Sequence, residues 1–492
     1  MFITSNDNDN ANNCLHSDEH EHERDDMFNE TQPILTITTT TTVNTVNPPS
    51  ATKHKPNLLH IQLCVASLTC LSTCLDGYLL IFIGYNNSIL NRKWNLSATH
   101  MLLLEIIYHF TGALGGILSI PTCYFSNQIG MNFNFIFALS TIPSIFILFH
   151  TDSYITYIIS ISHICLSNGH LYNIGTNLII NKFSTHKRGS IFALIYFFNQ
   201  FGKLIFSIFI FNYSSVLQSG NITLTIHPIL LIMFLQIIIN MFLLNTYNSS
   251  NGASTSYNLL SRIYNTFVQL KFTKNKTDTF DLYRYLIQPI CNIFIESPTM
   301  HGVLLVVINV SLGIQFFAMV NVFPLLKKPI PAFLTNEIFF SKITHTILLG
   351  VFTLVFIVYS LNAKACLLVA FVVNLILNLS IMFDWFNSYW IIHLFRFVWN
   401  ISYVMNSLYC AEAILKKNRG TNTSFLYMMF KVSCVCEILT VNRVIMVSLF
   451  LPIAINVFVL LFDVVVVRKL KVETYMKTCK EIDNEIKELT GE

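Results

Sequence analysis

The sequence predicts an all-α polytopic membrane protein built from two related six-helix halves, and three observations carry that prediction. Of its 492 residues, 53% are apolar and only 11% are charged, less than half of the roughly 25% charge usual in a soluble protein. Apolar runs of about 20 residues recur twelve times, each long enough as a helix to cross a hydrocarbon layer of roughly 30 Å. The loops after the fourth and tenth runs repeat one signature, Asn181-x6-Arg188-Gly189 and Glu412-x6-Arg419-Gly420, as a duplicated chain would.

Residues 1–57 come first, with an acidic, histidine-bearing stretch from His16 to Asp26 and a Thr-rich run ending at Pro48-Pro49. Nothing in them supplies a core, so they read as a disordered cytoplasmic tail. His16, His20 and His22 read as solvated residues of that tail rather than as a metal site. The first six apolar runs are 58–85, 99–125, 133–150, 154–181, 189–213 and 227–245, which together form an amino-terminal bundle over 58–245. A polar, basic stretch, 246–299, interrupts the series as a central cytoplasmic loop. The second six, 300–325, 336–359, 364–383, 388–414, 421–441 and 444–467, form a carboxy-terminal bundle over 300–467. Residues 468–492 alternate Lys and Glu at helical spacing and read as a cytoplasmic tail helix.

Basic residues test the topology. Lys182, Lys187, Arg188, Arg262, Lys271, Lys364, Lys416, Arg419 and Arg468 collect on the side of both termini, whereas the other side holds Arg92, Lys93, Lys327, Lys328 and Arg443. That asymmetry places both termini in the cytoplasm. Asn86, Asn95, Asn212 and Asn221 head glycosylation patterns that fall on the opposite side. The plasma membrane is the expected location, with an organelle membrane as the alternative.

Other classes are disfavoured. A net charge of +4 without any basic–aromatic patch does not point to nucleic acid. Most of the 12 Cys lie inside apolar runs, which argues against a disulfide framework. The first apolar run starts too late and is too long for a cleavable signal. Metal-ligand spacings, nucleophile elbows, phosphate loops and paired catalytic carboxylates are not found in the sequence, so no cofactor, metal or enzymatic activity is expected.

Polar groups inside apolar runs need a reason, because a charge at the bilayer centre costs about 2.5–3.5 kcal/mol on insertion scales. In the tenth run Arg396, Asn400, Tyr403, Ser407 and Cys410 recur at i, i+4, i+7, i+11 and i+14, one face of a helix bordered by Trp399. That face would line an aqueous path, with Arg396 meeting an anionic or hydroxylated group; alternatively, Arg396 neutralises Glu437 of the eleventh run. The fourth run carries an equivalent stripe of His163, His170, Asn173 and Asn177, in which His170 is a candidate for proton coupling. Asp76 and Lys203 sit at depths compatible with an ion pair. Glu105 with His109 one turn on would form a proton-linked couple, and Lys431 could attract an anion. Gln200, Asn309, Gln315 and Asn321 are neutral groups suited to sugars, amino acids or carboxylates. Gly112 and Gly115-Gly116 fit close helix packing.

Across 58–475 the chain resembles the major facilitator superfamily, with local features like those of its sugar-porter branch. These are Asp76-Gly77-Tyr78 late in the first helix, Arg188-Gly189 followed by Gly202, and Gly313-Ile314-Gln315 with Asn309. Glu412 to Arg419 keeps the branch's loop spacing, and Val472-Glu473-Thr474 resembles its Pro-Glu-Thr. The sequence departs from that pattern at three places. Ser126 to Asn132 lacks every charge of the usual loop after helix 2, Asn181 replaces an acid, and Ser407 replaces a tryptophan. Gly77 to Tyr85 and Ser97 to Gly116 resemble nodulin-like or monocarboxylate-type members equally well. Phe198 to Phe206 with Tyr409-Cys410 resembles apicomplexan amino-acid transporters. The resemblance implies alternating-access transport of a small polar solute, a hexose first and an amino acid or monocarboxylate next, with protons as a candidate coupling ion. Arg188, Gly189, Glu412, Arg419 and Gly420 would be the gating loops. A transport-dead receptor or scaffold is the alternative, motivated by the altered loop after helix 2.

Overall fold

A computed structural model of the protein describes residues 58–124, 127–151, 153–218, 223–250, 286–295, 300–317, 346–355, 361–383, 388–415, 418–445, 448, 450–475 and 477–490. The tail with His16, His20 and His22, most of the central segment, Ser126, Asn221 and Asn321 lie outside the described residues. In chain order the helices are α1 Leu58–Trp94, α2 Ala98–Tyr124, α3 Asn127–Phe149, α4 Tyr154–Lys182, α5 Thr185–Gln218 and α6 Thr223–Ser250. Then come α7 Gln288–Ile295, α8 His301–Phe317, α9 Thr346–Val355, α10 Ala363–Met382, α11 Ser388–Glu412, α12 Arg419–Ile445, α13 Phe450–Lys469 and α14 Cys479–Thr490.

Lipid dictates this all-helical solution, because a helix satisfies its own backbone where no water can. Polar side chains follow the same rule: Thr69 bonds the Val65 carbonyl at 2.9 Å and Asn378 the Asn374 carbonyl at 2.9 Å, each one turn back. Among the described helices eight are both long and apolar enough to cross a membrane. The helices α4 and α11 are long enough but too polar to be among them, which is the expected cost of bordering a polar interior. Apolar side chains cover the outside instead, with Phe146 67% and Phe458 71% exposed. The chain is an integral multi-pass membrane protein.

Two six-helix bundles share one packing plan. The first helix of the amino-terminal bundle, α1, packs on α4, α5 and α6; its counterpart α8 packs on α11, α12 and α13. Likewise α3 packs on α4 and α6, and α10 on α11 and α13. The bundles meet through α2 against α12 and through α5 against α9, where Thr353 Oγ1 donates to the Ala193 carbonyl at 3.3 Å. Moving six spans along the chain turns the first of these contacts into the second, which is the signature of a pseudo-twofold axis.

The carboxy-terminal segment differs from the expected continuous helix over 468–492. Residues 470–474 are not helical; there the Tyr409 hydroxyl donates to the Val472 carbonyl at 2.8 Å and Asn362 to Glu473 at 2.9 Å. Helix α14 then starts at a capping box, in which the Thr478 N–H donates to Glu481 at 2.6 Å and the Glu481 N–H to Thr478 Oγ1 at 3.3 Å. Ile482 and Ile486 seal it onto the core.

Candidate solute-binding site

Two glycines bring α1 and α5 together. A Cβ on Gly77 would overlap the Asn199 carbonyl oxygen, and one on Gly202 would overlap that of Cys74. The two backbones therefore touch, which neither chain position would permit with any larger residue. The neighbouring residues, Asp76 and Lys203, are delivered into a chamber between the two bundles.

This chamber holds about 610 Å³ of atom-free space, its open part included, within the usual range for small-molecule sites. Its apolar wall comprises Phe316, Trp399, Phe430 and Leu80, and its polar wall includes Asn168, Asn199 and Asn400. Tyr108, Tyr172, Tyr196, Tyr403 and Tyr427 present both character types. Trp399 and Tyr403 stack at 5.4 Å with rings 9° apart, and Phe430 leans on Tyr403 at 4.7 Å. Hydrogen bonds cross between the bundles. Gln200 donates to Asn400 at 2.9 Å, and Tyr196, bonded to Tyr172 of its own bundle at 2.8 Å, bonds Ser407 across the interface at 2.8 Å.

At this chamber an ion pair also crosses. Lys431 Nζ of α12 lies 3.2 Å from Asp76 Oδ1 of α1, and the Tyr108 hydroxyl donates to the same oxygen at 2.6 Å. The ammonium sits 4.5 Å from the Tyr108 ring centroid and 5.5 Å from that of Tyr427, so cation–π attraction adds to the pairing. The expected Asp76–Lys203 pair is therefore not formed. Lys203 lines the chamber with 7% of its surface exposed.

A second chamber of about 370 Å³ continues toward the Arg-Gly loops, lined by Asn173, Thr176, Asn309, Ser407 and Cys410 among others. Tyr172, Tyr403 and Tyr427 border both chambers. Beyond it, contacts between the bundles close that end. Ser119 donates to Ser424 at 2.7 Å, and Gly420 leaves room for the Asn177 side chain directly above it. Arg188 lies 3.7 Å from Glu412, both almost fully buried. The loops repeat one geometry: Arg188 Nε donates to the Phe183 carbonyl at 3.0 Å, and Arg419 Nε to the Ile414 carbonyl at 2.9 Å. In both loops the acceptor stands five residues before the arginine, and Gly189 and Gly420 are buried beside their arginines.

Placement of the remaining candidates is uneven. Asn400, Tyr403 and Ser407 line the chambers, as do Asn173, Asn309 and His109. His170 does not: it is fully buried and stacks on Phe137 of α3 at 4.2 Å. His163 bonds Ser144 of α3 at 2.7 Å. The α4 stripe therefore divides, its histidines facing α3 and its asparagines facing the interior. Gln315 turns toward α13, donating to Asp463 Oδ2 at 2.7 Å. The Glu105–His109 couple does not form, since His109 packs against the rings of Tyr108 and Phe316 and its Nδ1 has no partner. Glu437 bonds Thr440 on its own helix instead of pairing with Arg396, which is half-buried and engaged elsewhere.

Several residues of the site were not anticipated from the sequence. Tyr108 and Tyr427 could have been found as aromatic residues one turn or less from His109 and Lys431. Asp463 carried a plain signal, a carboxyl inside the last apolar run; it is fully buried and takes bonds from Ser311 and Gln315.

A pseudo-symmetric pair of six-helix bundles around an interbundle chamber is the fold of major facilitator superfamily transporters. No protein-family profile matches the sequence, and a search of curated proteins found no match. Solved structures do match. The proton:xylose symporter XylE bound to 6-bromo-6-deoxy-D-glucose superposes with a TM-score of 0.62 at 15% identity, covering 87% of this chain and 99% of that one. The human organic anion transporter MFSD10 gives 0.55 at 11% identity, covering 84% and 100%. A double-tryptophan XylE variant gives 0.60 at 15% identity, covering 87% and 99%.

Proposed function

We propose that this protein carries a small polar solute across a membrane by rocking its two bundles around the interbundle chamber. One observation carries the reading: polar chambers lie on the pseudo-twofold interface, and contacts between the bundles close one end of them. A site shared by two rigid halves is exposed to alternate sides when those contacts break and re-form. Arg188, Glu412, Arg419 and the two loop glycines form the closing contacts, on the side that the basic-residue asymmetry assigns to the cytoplasm. Asn173, Gln200, Asn309, Asn400, Tyr403 and Ser407 line the path, and Asp76 with Lys431 spans it.

The named neighbours carry a sugar in one case and organic anions in the other, so their names do not choose a solute for this chain. A neutral hexose, the first expectation from the resemblance, would leave the Lys203 charge uncompensated. The full chain reconstituted in liposomes should give saturable counterflow of a labelled small solute. Absence of counterflow for hexoses, amino acids and monocarboxylates alike would sink the carrier reading and leave the receptor or scaffold alternative.

A further inference from the structure

Resting on the carrier reading above, we infer that the transported solute bears a carboxylate and that Lys203 is its counter-ion. The charges of the main chamber do not balance. Asp76 is occupied, with one oxygen shared by the Lys431 ammonium and the Tyr108 hydroxyl. Lys203, on the facing helix, has no side-chain hydrogen bond and no ion pair within 4.0 Å among the described residues. It is more than nine-tenths buried and its side chain borders the chamber. Asp76, Arg396 and Lys431 all lie near enough to act on its charge, so a single carboxylate, already paired with Lys431, faces three cations. A buried ammonium whose nearest carboxylate is already paired with a second ammonium is expensive unless an anion completes the site. Burial of both the site and the ion strengthens their attraction.

The rest of the wall limits what else the solute carries. Asn199 and Asn400 add neutral amides to the wall, their Nδ2 groups already donating to the Thr73 and Arg396 carbonyls. The stacked Trp399–Tyr403 pair and Phe316 offer a flat apolar surface for a short organic body. A small organic acid satisfies these demands, whether as a hydroxy acid or as the carboxylate end of an amino acid.

The test compares isosteres on the purified, reconstituted full chain. Counterflow and tryptophan-fluorescence titration are run with lactate, its neutral amide lactamide, alanine and glucose. The inference expects lactate or alanine to bind at least tenfold more tightly than lactamide and glucose, with the responding member telling hydroxy acid from amino acid. Lys203→Gln should remove that preference and Lys203→Arg should keep part of it, each variant first checked for a wild-type melting profile. If Lys203→Gln fails to fold, the preference of the wild-type chain for lactate or alanine over lactamide decides alone. Affinity for both lactate and alanine no greater than for lactamide, or glucose counterflow indifferent to Lys203→Gln, overturns the carboxylate assignment and leaves the carrier reading standing. No counterflow with any of the four, together with no binding, overturns both.

Discussion

Arg419 of α12 donates through Nη2 to Asp483 Oδ1 of α14 at 3.2 Å, so the terminal helix provides a carboxylate where the first bundle has none. Under the pseudo-twofold, the pair Arg188–Glu412 predicts a partner pair of Arg419 with residue 181. That residue is Asn181, whose amide donates to Asn177 at 3.1 Å. Arg419 is 1% exposed and needs an anion close by, which the non-helical run 470–474 and helix α14 deliver. Replacing Asp483 with Asn should therefore loosen the closed end. A hydrogen bond to a charged group is worth about 1.5–3 kcal/mol, so the conformational balance should move by roughly tenfold or more. Thiol labelling of Cys410 in the second chamber reads this shift. Adding Asn181→Asp to the Asp483→Asn chain should restore the original labelling rate, because the carboxylate returns at the symmetric position. Arg419→Ala should shift labelling in the same direction as Asp483→Asn; unchanged labelling in both would refute the role given to this contact.

The Asp76–Lys431 pair makes a second prediction about energetics. Lys431 has 4% of its side chain exposed and Asp76 29%, so the pair is partly desolvated. Removing one partner of a buried pair costs about 3–5 kcal/mol, while replacing both by apolar groups is close to neutral; the exposure of Asp76 places this case at or below the lower bound. Asp76→Asn alone should therefore lower the melting temperature more than Asp76→Asn combined with Lys431→Met. A double variant less stable than both single variants would mean that the pair holds the bundles together rather than merely neutralising Lys431.

The capping box of α14 gives a pH dependence. The Thr478 N–H bond holds the Glu481 carboxyl below the ordinary range. A depressed folded-state value contributes stability that is present above the unfolded value, near pH 4.3, and is lost as pH falls through the folded one. Protection of the first-turn amides of α14 should be constant above about pH 5 and decline below about pH 4, as followed by hydrogen exchange. In Glu481→Gln that decline should vanish. A decline of equal size in the variant would show that the Glu481 cap does not set it.

Much of this architecture was legible in the sequence, and the limits have physical causes. Helix periodicity places Arg396, Asn400, Tyr403, Ser407 and Cys410 on one face, and all of these but Arg396 are among the residues lining the chambers. The duplicated loop exposes the two halves because each arginine must satisfy the same carbonyl geometry. Partners across the bundles were not legible: nothing in the spacing tells Asp76 that α12, rather than α5, brings its ammonium. For α4, periodicity gives a polar stripe but not its centre, and a stripe wide enough to include His170 also reaches α3. The Arg419 partner was hidden because sequence reasoning ran one helix through 468–492, although Thr478 and Glu481 carry the signature of a helix start.

The α1–α5 crossing predicts a strict size limit. A Cβ on Gly202 has no room against Cys74, whose backbone cannot yield as a flexible side chain would. Gly202→Leu should separate the two helices, displace Asp76 from Lys431, and yield aggregated protein on size-exclusion chromatography. The control is Gly84→Ala on the same α1, where a Cβ meets open space; it should elute as wild type. A monodisperse Gly202→Leu protein with wild-type melting would show that the crossing is looser than its geometry implies.

The tyrosines shared by the two chambers make the last prediction. Tyr172 and Tyr427 lie 5.1 Å apart between ring centroids, one ring from each bundle, and Tyr403 closes the third side. Movement of a solute between the chambers must part these rings. Truncation of Tyr427 to Ala should join the chambers, whereas Tyr427→Phe keeps the ring and loses only the hydroxyl. Cys410 lies in the second chamber and reports on the passage. Its reaction with a small polar thiol reagent, in a background lacking the exposed Cys436, should quicken about tenfold or more in Tyr427→Ala if the barrier ring is worth at least ~1.4 kcal/mol. The Phe variant should react as slowly as wild type. Truncating a fully buried aromatic costs about 3–5 kcal/mol and Tyr427 is half-buried, so a smaller loss is expected; the melting temperature is followed in parallel, and labelling taken well below it. Equal rates in the Ala, Phe and wild-type chains would show that the ring pair is not the barrier, and that access to Cys410 is set instead at the Arg188–Glu412 end.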